Sequence, residues 1–249
     1  MRLRYLVWAP RHPFSRWVLL VVAAFLGLQL FFLGKIAWMV RVAPESSAFE
    51  RSQAWQISQT KHKLPWQQTW VPYAKISDQL KRAVIASEDD LFAQHDGVQW
   101  EAIEKAWAKN AKAELQASRT AQKNAAIKVV GGSTISQQLA KNLFLAGERT
   151  FLRKGQEFVL TLMLEALLSK QRILELYLNH VEWGEGIFGA EAAAQHYFAK
   201  PAWQLNAWEA ARLAVMLPRP KYYQKFPLSE YLSGRTEIIV SRMPRAQLP

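Results

Sequence analysis

The sequence predicts a predominantly α-helical protein that begins with one transmembrane helix. An uncharged apolar run extends from Trp17 to Gly34. Beyond it, apolar residues recur at helical spacing, and no stretch alternates between apolar and polar residues for long enough to indicate a β-strand. Half of the 249 residues are hydrophobic, which is too many for a disordered chain. A chain of this length forms one domain, or one domain with an appendage.

Charge and cysteine content narrow the classes of partner and chemistry. The 32 lysine and arginine residues exceed the 20 acidic residues, so the formal net charge is +12. Such an excess favours an anionic partner: nucleic acid, a membrane surface or a phosphorylated substrate. The absence of cysteine excludes disulfides, thiolate metal sites and a cysteine nucleophile. The basic residues before Glu45, the first acidic residue, are Arg2, Arg4, Arg11, Arg16, Lys35 and Arg41.

The apolar run is long enough to cross a membrane. Its 18 residues reach roughly 27 Å as a helix, close to the ~30 Å hydrocarbon core. We predict a transmembrane helix over 17–40, because Lys35 can extend from the helix end to the interface. The alternative is a cleaved secretory signal, whose apolar region is normally about 7 to 15 residues. The basic residues of segment 1–16 place the N-terminus in the cytoplasm and the rest of the chain outside.

Two segments behind the span lack a clear amphipathic pattern. Residues 41–70 are polar and are expected to form a juxtamembrane connection to a globular domain over 71–249. The aromatic residues at the boundary are Trp66, Trp70 and Tyr73. They suit either the headgroup level of a membrane or ordinary packing. Segment 100–130 is rich in Ala, Lys, Gln and Asn and is expected to be a basic helix or a mobile insertion.

Further helices are predicted by periodicity and composition. Apolar residues follow a helical period over 76–87. Residues 158–168 are apolar around most of the circumference but too few to cross a membrane, so we expect a central buried helix. Residues 189–198 and 206–217 are also helical in composition, and prolines end the second of them.

Three consecutive acidic residues close the helix predicted over 76–87. Glu88 then lies at the negative end of the helix dipole, which disfavours the carboxylate and raises its pKa toward that of a useful base. Asp89 follows directly, and His95 lies six residues further along the chain. The alternative is a solvated helix end, with Asp89 or Asp90 capping the next turn and His95 acting as a structural hydrogen-bonding group.

A second polar cluster follows the glycine pair at 131–132. A loop with Ser133 and Thr134 that leads into a helix offers N–H and O–H donors to an anion or a sugar. The simpler alternative is that one of these hydroxyls caps the helix. Lys141 and Asn142 come two turns later and extend the donor surface if the helix is continuous. The loop lacks the Gly-Lys-Ser/Thr ending of a Walker phosphate loop.

A third cluster lies just before the run at 158–168. Arg153 and Lys154 would occupy the first turn of a helix, where the dipole opposes cations unless an anion is bound. Both lie three or four residues before Glu157, so all three side chains project from one side. The cluster indicates either a site for a phosphate-bearing group or a local salt bridge.

At these clusters the chain resembles the monofunctional biosynthetic peptidoglycan glycosyltransferases, whose catalytic module also forms the front half of class A penicillin-binding proteins. Five motifs occur in the family's order: EDDLFAQHDG at 88–97, GGSTISQQLAKN at 131–142, RKGQEFVLTLMLE at 153–165, KQRILELYLN at 170–179 and EAARLAVMLPRP at 209–220. They cover the chain from about residue 70 to 220. Five motifs in order behind an N-terminal anchor are far more specific than any one of them.

The resemblance implies a lysozyme-like helical lobe with a smaller, membrane-associated jaw lobe, so that 71–249 is the glycosyltransferase domain. It implies polymerisation of lipid II into β-1,4 glycan strands, with inversion at the donor carbon and release of undecaprenyl pyrophosphate. Because the chain ends at Pro249, no transpeptidase domain is expected. The rival functions are a lytic transglycosylase and a noncatalytic membrane scaffold of the wall-building machinery.

The resemblance also implies roles for single residues. Glu88 is implied as the general base that takes the proton of the acceptor sugar's 4-hydroxyl. Glu157 is implied as the second catalytic carboxylate, assisting departure of pyrophosphate directly or as a ligand of a divalent cation. The implied substrate-binding residues are Asp89, His95, Ser133, Thr134, Gln137, Gln138, Lys141, Asn142, Arg153 and Lys154.

Cofactors, partners and location are implied in the same way. No cofactor is required, and a Mg²⁺ or Mn²⁺ ion at Glu157 is left open. The implied partners are lipid II, the growing glycan strand, membrane lipid and other cell-wall synthesis and division proteins. Nucleic acid explains the charge but not the anchor, and is not expected. The implied location is the bacterial cytoplasmic (inner) membrane, which the chain crosses once. We also hypothesise that segment 100–130 contacts lipid phosphates or the growing strand.

Overall fold

The computed structural model describes residues 13–60, 65–100, 104, 133–145 and 150–249. The basic residues before Pro13, nearly all of segment 100–130 and the glycines at 131–132 lie outside the described residues, so the predictions for them stay predictions.

The described residues are predominantly helical, as the sequence predicts. The helices are α1 (Pro13–Met39), α2 (Ala48–Thr60), α3 (Asp78–Glu88), α4 (Ile135–Phe144), α5 (Phe151–Leu167), α6 (Lys170–His180), α7 (Ala190–Phe198), α8 (Ala207–Met216), α9 (Pro220–Lys225) and α10 (Glu230–Arg242). Single 3₁₀ turns are formed by Tyr73–Lys75, Ala202–Gln204 and Met243–Arg245.

A small sheet that the sequence did not predict accompanies the helices. Its strands are β1 (Gln67–Gln68), β2 (Glu182–Gly184) and β3 (Ile187–Phe188), in the order β1-β3-β2. β3 pairs in parallel with β1 and antiparallel with β2. Strands of two or three residues are too short to show the alternation by which a strand is recognised in a sequence.

Helix α1 is the predicted membrane span. Among the described residues it is the one helix long and apolar enough to cross a membrane, with a mean hydropathy of 2.3 over its most apolar stretch. None of that stretch is buried in the protein, which fits a helix that presents its side chains to lipid. The helix begins four residues before the predicted span of 17–40 and ends one residue before its end, and the membrane boundaries themselves stay a prediction.

The core forms where α3 packs against α8, α8 against α10, and α4 against α5 and α6. Helix α3 begins at Ser77, whose side chain accepts a hydrogen bond from Gln79 N at 3.2 Å. Leu80 and Val84, one turn apart, lie on its inner side and are fully buried. The helix therefore presents one apolar side to the core and carries Glu88 to its end.

The expectation of a central buried helix over 158–168 is only partly correct. Leu160 and Leu164 of α5 are fully buried, but Leu162 is 44% exposed. Helix α5 packs against α1 and α4 and leaves another side uncovered. The all-round apolar composition thus does not indicate a helix enclosed on every side by protein.

The predicted juxtamembrane connection contains helix α2, which begins with a capping box. Ser47 Oγ accepts from Glu50 N at 3.1 Å, and Glu50 Oε2 accepts from Ser47 N at 2.6 Å. The pattern Ser-x-x-Glu is a helix-start signal that the sequence analysis missed. Glu50 Oε1 lies 2.8 Å from His180 Nδ1 and accepts from Gln68 Nε2 at 2.9 Å. Both Glu50 and His180 are buried, so α2 is joined to the sheet and α6.

The boundary aromatics are packed against the protein, which favours the packing interpretation. Trp66 stacks on Phe188 with ring centroids 4.7 Å apart. Trp70 lies 5.6 Å from the guanidinium of Arg172, and Tyr73 lies beneath the ammonium of Lys81 at 4.0 Å. All three aromatic side chains are half-buried.

Replacing Glu50 tests the link between α2 and the domain. We expect Glu50→Ala to lower the free energy of unfolding by about 3 kcal/mol, because it removes the capping box and leaves a buried histidine without its partner. Glu45→Ala is the matched control, since Glu45 is exposed, and should change stability by less than about 0.5 kcal/mol. Chemical unfolding of the detergent-solubilised protein measures both. Equal stability of the two variants would contradict the link.

Candidate active site

Helix α3 ends at Glu88, as the sequence predicts. Burial raises the pKa of the Glu88 carboxyl, a hydrogen bond from Gln138 opposes that rise, and the nearby charge of Asp89 adds to it. The net direction is upward, toward the range in which a carboxylate takes up a proton readily. Glu88 therefore has the protonation chemistry of a general base.

A chain of two hydrogen bonds fixes the Glu88 carboxylate. Gln138 Nε2, on α4, donates to Glu88 Oε2 at 2.8 Å. The hydroxyl of Tyr177, on α6, donates to Gln138 Oε1 at 3.0 Å. Because Tyr177 occupies the carbonyl oxygen, the amide nitrogen of Gln138 must face Glu88. The sequence analysis placed Gln138 in the cleft but did not identify Tyr177 as the residue that orients it.

Asp89, the residue after the base, joins the end of α3 to the start of α4. Its oxygens accept from Gln99 Nε2 at 2.6 Å, from His95 Nε2 at 2.9 Å and from Ile135 N at 3.0 Å. Gly97 N donates to His95 Nδ1 at 3.0 Å. The Nδ1 atom is therefore unprotonated, and the ring proton lies on Nε2, where it is donated to Asp89.

Gly97 is required where it stands. Its φ is +88°, and an added Cβ would lie 2.8 Å from Glu165 Cγ and 2.9 Å from Thr161 Cγ2. Its carbonyl accepts from the Thr134 hydroxyl at 2.6 Å. The first and second motifs are thus packed together against α5.

Thr134 caps helix α4. Its hydroxyl accepts from Gln137 N at 3.2 Å, and Gln137 Oε1 accepts from Thr134 N at 3.1 Å, which completes a capping box. The simpler alternative considered for this loop is therefore correct for Thr134. Ser133 is exposed beside it.

The third cluster forms the cationic side of the site. Thr150 caps α5, so Arg153 and Lys154 lie in the first turn. Arg153 Nη1 is 3.0 Å from Glu157 Oε2, and the Lys154 ammonium bonds Glu157 Oε1. Glu157 is 3% exposed. The buried Nε of Arg153 has no hydrogen-bond partner among the described residues, so a donor remains for an anion.

These residues line a cleft of about 240 Å³. Its lining consists of Ser133, Gln137, Gln138, Lys141, Arg153, Lys154 and Glu157. Lys141 interacts electrostatically with both Glu157 and Glu88. The cleft therefore lies between α4, which carries Lys141 and the Glu88 partner Gln138, and the first turn of α5, which carries Arg153 and Lys154.

Four predicted substrate-binding residues do not line this cleft. Asp89 and His95 bond each other, Thr134 serves as the helix cap, and Asn142 is buried at 8% exposure. The family resemblance implied that they bind substrate, but it does not show which of their polar atoms are already hydrogen-bonded within the protein. Their substrate contacts stay predictions.

Glu157 is poorly suited to hold a divalent cation. Both of its oxygens already accept from cationic side chains, and among the described residues no three His, Asp or Glu side chains are grouped for a metal. Mg²⁺ and Mn²⁺ need several oxygen ligands. The side chains present therefore do not fit a resident metal ion.

A half-buried carboxylate with a raised pKa beside a cationic cleft, together with one helix among the described residues that could cross a membrane, is typical of a membrane-associated enzyme. The model of the Transglycosylase family matches residues 56–244. The chain belongs to this family, which confirms the family predicted from the five motifs and its lysozyme-like helical fold.

Curated relatives match over nearly the whole chain. A protein of Bordetella avium is 50% identical over 229 residues, covering 92% of each chain. One of Burkholderia thailandensis is 51% identical over 227 residues, or 91% of this chain and 84% of its own. One of Herminiimonas arsenicoxydans is 49% identical over 234 residues, or 94% and 96%. Each is named a biosynthetic peptidoglycan transglycosylase.

Asparagine at position 89 tests the structural role of that aspartate. We expect Asp89→Asn to lower the free energy of unfolding by about 2–4 kcal/mol, because an amide turns a donor toward groups that need an acceptor. Asp90→Asn is the matched control. Its side chain is 59% exposed and lies 3.6 Å from Arg242, so a change within about 0.5 kcal/mol is expected. Thermal unfolding distinguishes them, and equal midpoints would contradict the role.

Proposed function

We propose that this protein polymerises lipid II into β-1,4 glycan strands and releases undecaprenyl pyrophosphate. The observation that carries the proposal is the cleft, which is lined both by Gln138, the hydrogen-bond partner of the half-buried Glu88, and by the cations Arg153 and Lys154. Its membership of the transglycosylase family supports the same reaction. Helix α1 anchors the enzyme, with the N-terminus in the cytoplasm and the catalytic domain on the outer face of the inner membrane.

The reaction needs a proton acceptor at the attacking sugar. Glu88 takes the proton of the acceptor's 4-hydroxyl as that oxygen bonds to the anomeric carbon of the donor. The bond from this carbon to the pyrophosphate oxygen breaks with inversion, and its electron pair leaves with the pyrophosphate. The bond from Gln138 holds the Glu88 carboxylate in one orientation for this transfer.

The leaving pyrophosphate needs positive charge where its own charge increases. Arg153, Lys154 and Lys141 supply it from the cleft wall. The sequence leaves three roles open for Glu157: an acid, a metal ligand or an electrostatic stabiliser. We propose the third, in which Glu157 positions the cations. Both oxygens of Glu157 accept from the two cations, so it holds them in place and has no proton to give in this arrangement. We propose that no metal cofactor is required.

Ser133 and Gln137 line the cleft where sugar hydroxyls would bind. The remaining partner proposals are membrane lipid around α1 and other proteins of cell-wall synthesis and division. A lytic transglycosylase has no need of a pyrophosphate site, so the pair of cations held by the buried Glu157 disfavours that alternative.

Polymerisation of labelled lipid II by the detergent-solubilised full chain tests the reaction and its base. Glu88→Gln should lower the rate at least about a hundredfold, because the amide takes up no proton. Glu157→Gln should lower it roughly tenfold to a hundredfold, because the cations lose their buried partner. Gel separation of the products measures the strands.

Glu237→Gln is the control for both substitutions, since Glu237 is exposed on α10, and it should leave the rate unchanged. Full activity of Glu88→Gln would contradict the assignment of the base. Soluble muropeptides released from purified walls, without polymer from lipid II, would support the lytic alternative.

The hydrogen bond from Gln138 also predicts a pH effect. It lowers the pKa of Glu88 against the larger effect of burial, so Gln138→Leu raises that pKa further. A base acts only when deprotonated, and kcat/KM therefore rises with pH through this pKa. The acid limb should move to higher pH by roughly 0.5 to 1 unit.

Ser133→Ala is the control for the pH profile, because Ser133 lines the same cleft without a bond to Glu88. It should lower kcat/KM by a similar factor at every pH and leave the limb where it is. An acid limb at the same pH in Gln138→Leu and the parent would show that Gln138 does not tune the base.

A further inference from the structure

A polar residue stands in the second half of the apolar run of α1. Gln29 is the one strongly polar residue between Trp17 and Gly34, and an amide in hydrocarbon is costly unless it is hydrogen-bonded. Its partner is Gln156 of α5. Gln29 Nε2 donates to Gln156 Oε1 at 3.1 Å, and Gln156 Nε2 donates to Gln29 Oε1 at 3.0 Å. The two amides thus form a reciprocal pair, here called the amide pair.

The amide pair begins a seam along α1. From Arg16 to Met39, the buried or half-buried residues are Gln29, Phe32, Ile36 and Met39. Their spacing of three, four and three is that of a helix seam packed against a partner helix. Phe32 lies edge-on to Phe144 at 5.5 Å, and Arg172 Nε donates to Met39 O at 2.9 Å. The half of α1 nearer the catalytic domain is therefore docked, and the other half is exposed.

The seam fixes the direction of α5 relative to the membrane. Gln156, near the start of α5, pairs with Gln29, whereas Arg172, beyond its end, pairs with Met39. The two helices therefore run the same way, and the first turn of α5 lies deeper than Gln156. Gln29 lies five residues inside Gly34, or about 7–8 Å along the helix.

That first turn carries the proposed pyrophosphate site. Arg153 and Lys154 lie on it, and Leu152 beside them is 88% exposed. Cations are costly in hydrocarbon but favourable beside lipid phosphates, whereas an exposed leucine suits the acyl region. Because this turn lies deeper than Gln156, its cations need a phosphate partner there, which the lipid-linked substrate of the proposed reaction supplies.

We propose that the amide pair sets the register of α1 against α5 and so holds Arg153 and Lys154 at the depth of the substrate's pyrophosphate. A single polar pair in an apolar seam fixes register because any slip leaves both amides unpaired. Gln29 and Gln156 are then positioning residues, and α1 aligns the site as well as tethering it. This inference rests on the proposed function, since it takes the bound anion to be a lipid-linked pyrophosphate.

The first test compares the full-length parent with Gln29→Leu, Gln156→Leu and the double variant. In phosphatidylglycerol–phosphatidylcholine vesicles, each should raise the KM for lipid II roughly threefold to tenfold with kcat unchanged. In detergent micelles, which have no fixed lipid plane, the KM values should equal that of the parent. Leu30→Ala is the control, because Leu30 neighbours Gln29 but is 67% exposed.

Two kinetic outcomes would overturn the inference. One is an unchanged KM in vesicles for all three variants. The other is an equal loss of activity in vesicles and in micelles, since a merely structural role predicts that result. A rise in KM confined to vesicles would support it.

A depth measurement tests the inference without relying on activity. The chain has no cysteine, so Leu152→Cys provides a single site for a nitroxide label. Its collision rates with oxygen and with a water-soluble nickel complex report its depth in the same vesicles. The label should report a single depth in the acyl region in the parent background and a different depth in the Gln29→Leu, Gln156→Leu double variant. An unchanged depth would overturn the inference whether or not the parent polymerises lipid II. Failure of the parent to polymerise lipid II would instead count against the proposed function alone.

Discussion

The buried carboxylate of Asp89 is the interaction on which the geometry of the site depends. It accepts hydrogen bonds from two side chains of the loop behind α3 and from the first backbone N–H of α4. This joins the last turn of one helix to the first turn of another. Glu88 precedes that junction by one residue and Gln138 follows it by one turn, so the 2.8 Å bond between them is a consequence of the junction.

The site places charged groups where helices disfavour them. Glu88 lies at the C-terminal end of α3 and the cations Arg153 and Lys154 lie at the N-terminal end of α5, so each opposes the local helix dipole. The direction of the Glu88 pKa agrees with this placement, although burial is its largest cause. A carboxylate that is easily protonated and cations that need an anion are unfavourable for stability alone, and the proposed reaction, with its pyrophosphate leaving group, gives a use to both.

Local features of the chain were predictable, and contacts between distant residues were not. The span of α1, the end of α3 at Glu88 and the cations in the first turn of α5 follow from composition and spacing. Ser47 and Glu50 gave a helix-start signal that was missed. The bonds from Tyr177 to Gln138 and from Gln29 to Gln156 join residues 39 and 127 positions apart, and no periodicity encodes such pairs. The strands were not predictable because two or three residues are too few to show the alternation of a strand.

Helix α5 links the three parts of the molecule. The helix carries Gln156 to the membrane helix, Glu157 and its cations to the cleft, and Leu160 and Leu164 to the core. These residues lie within about two turns of one helix, so they move as one rigid body. A shift of α1 cannot leave the anion site unaffected unless α5 leaves the core. A movement of α1 would therefore reach the cleft through packing that also stabilises the fold.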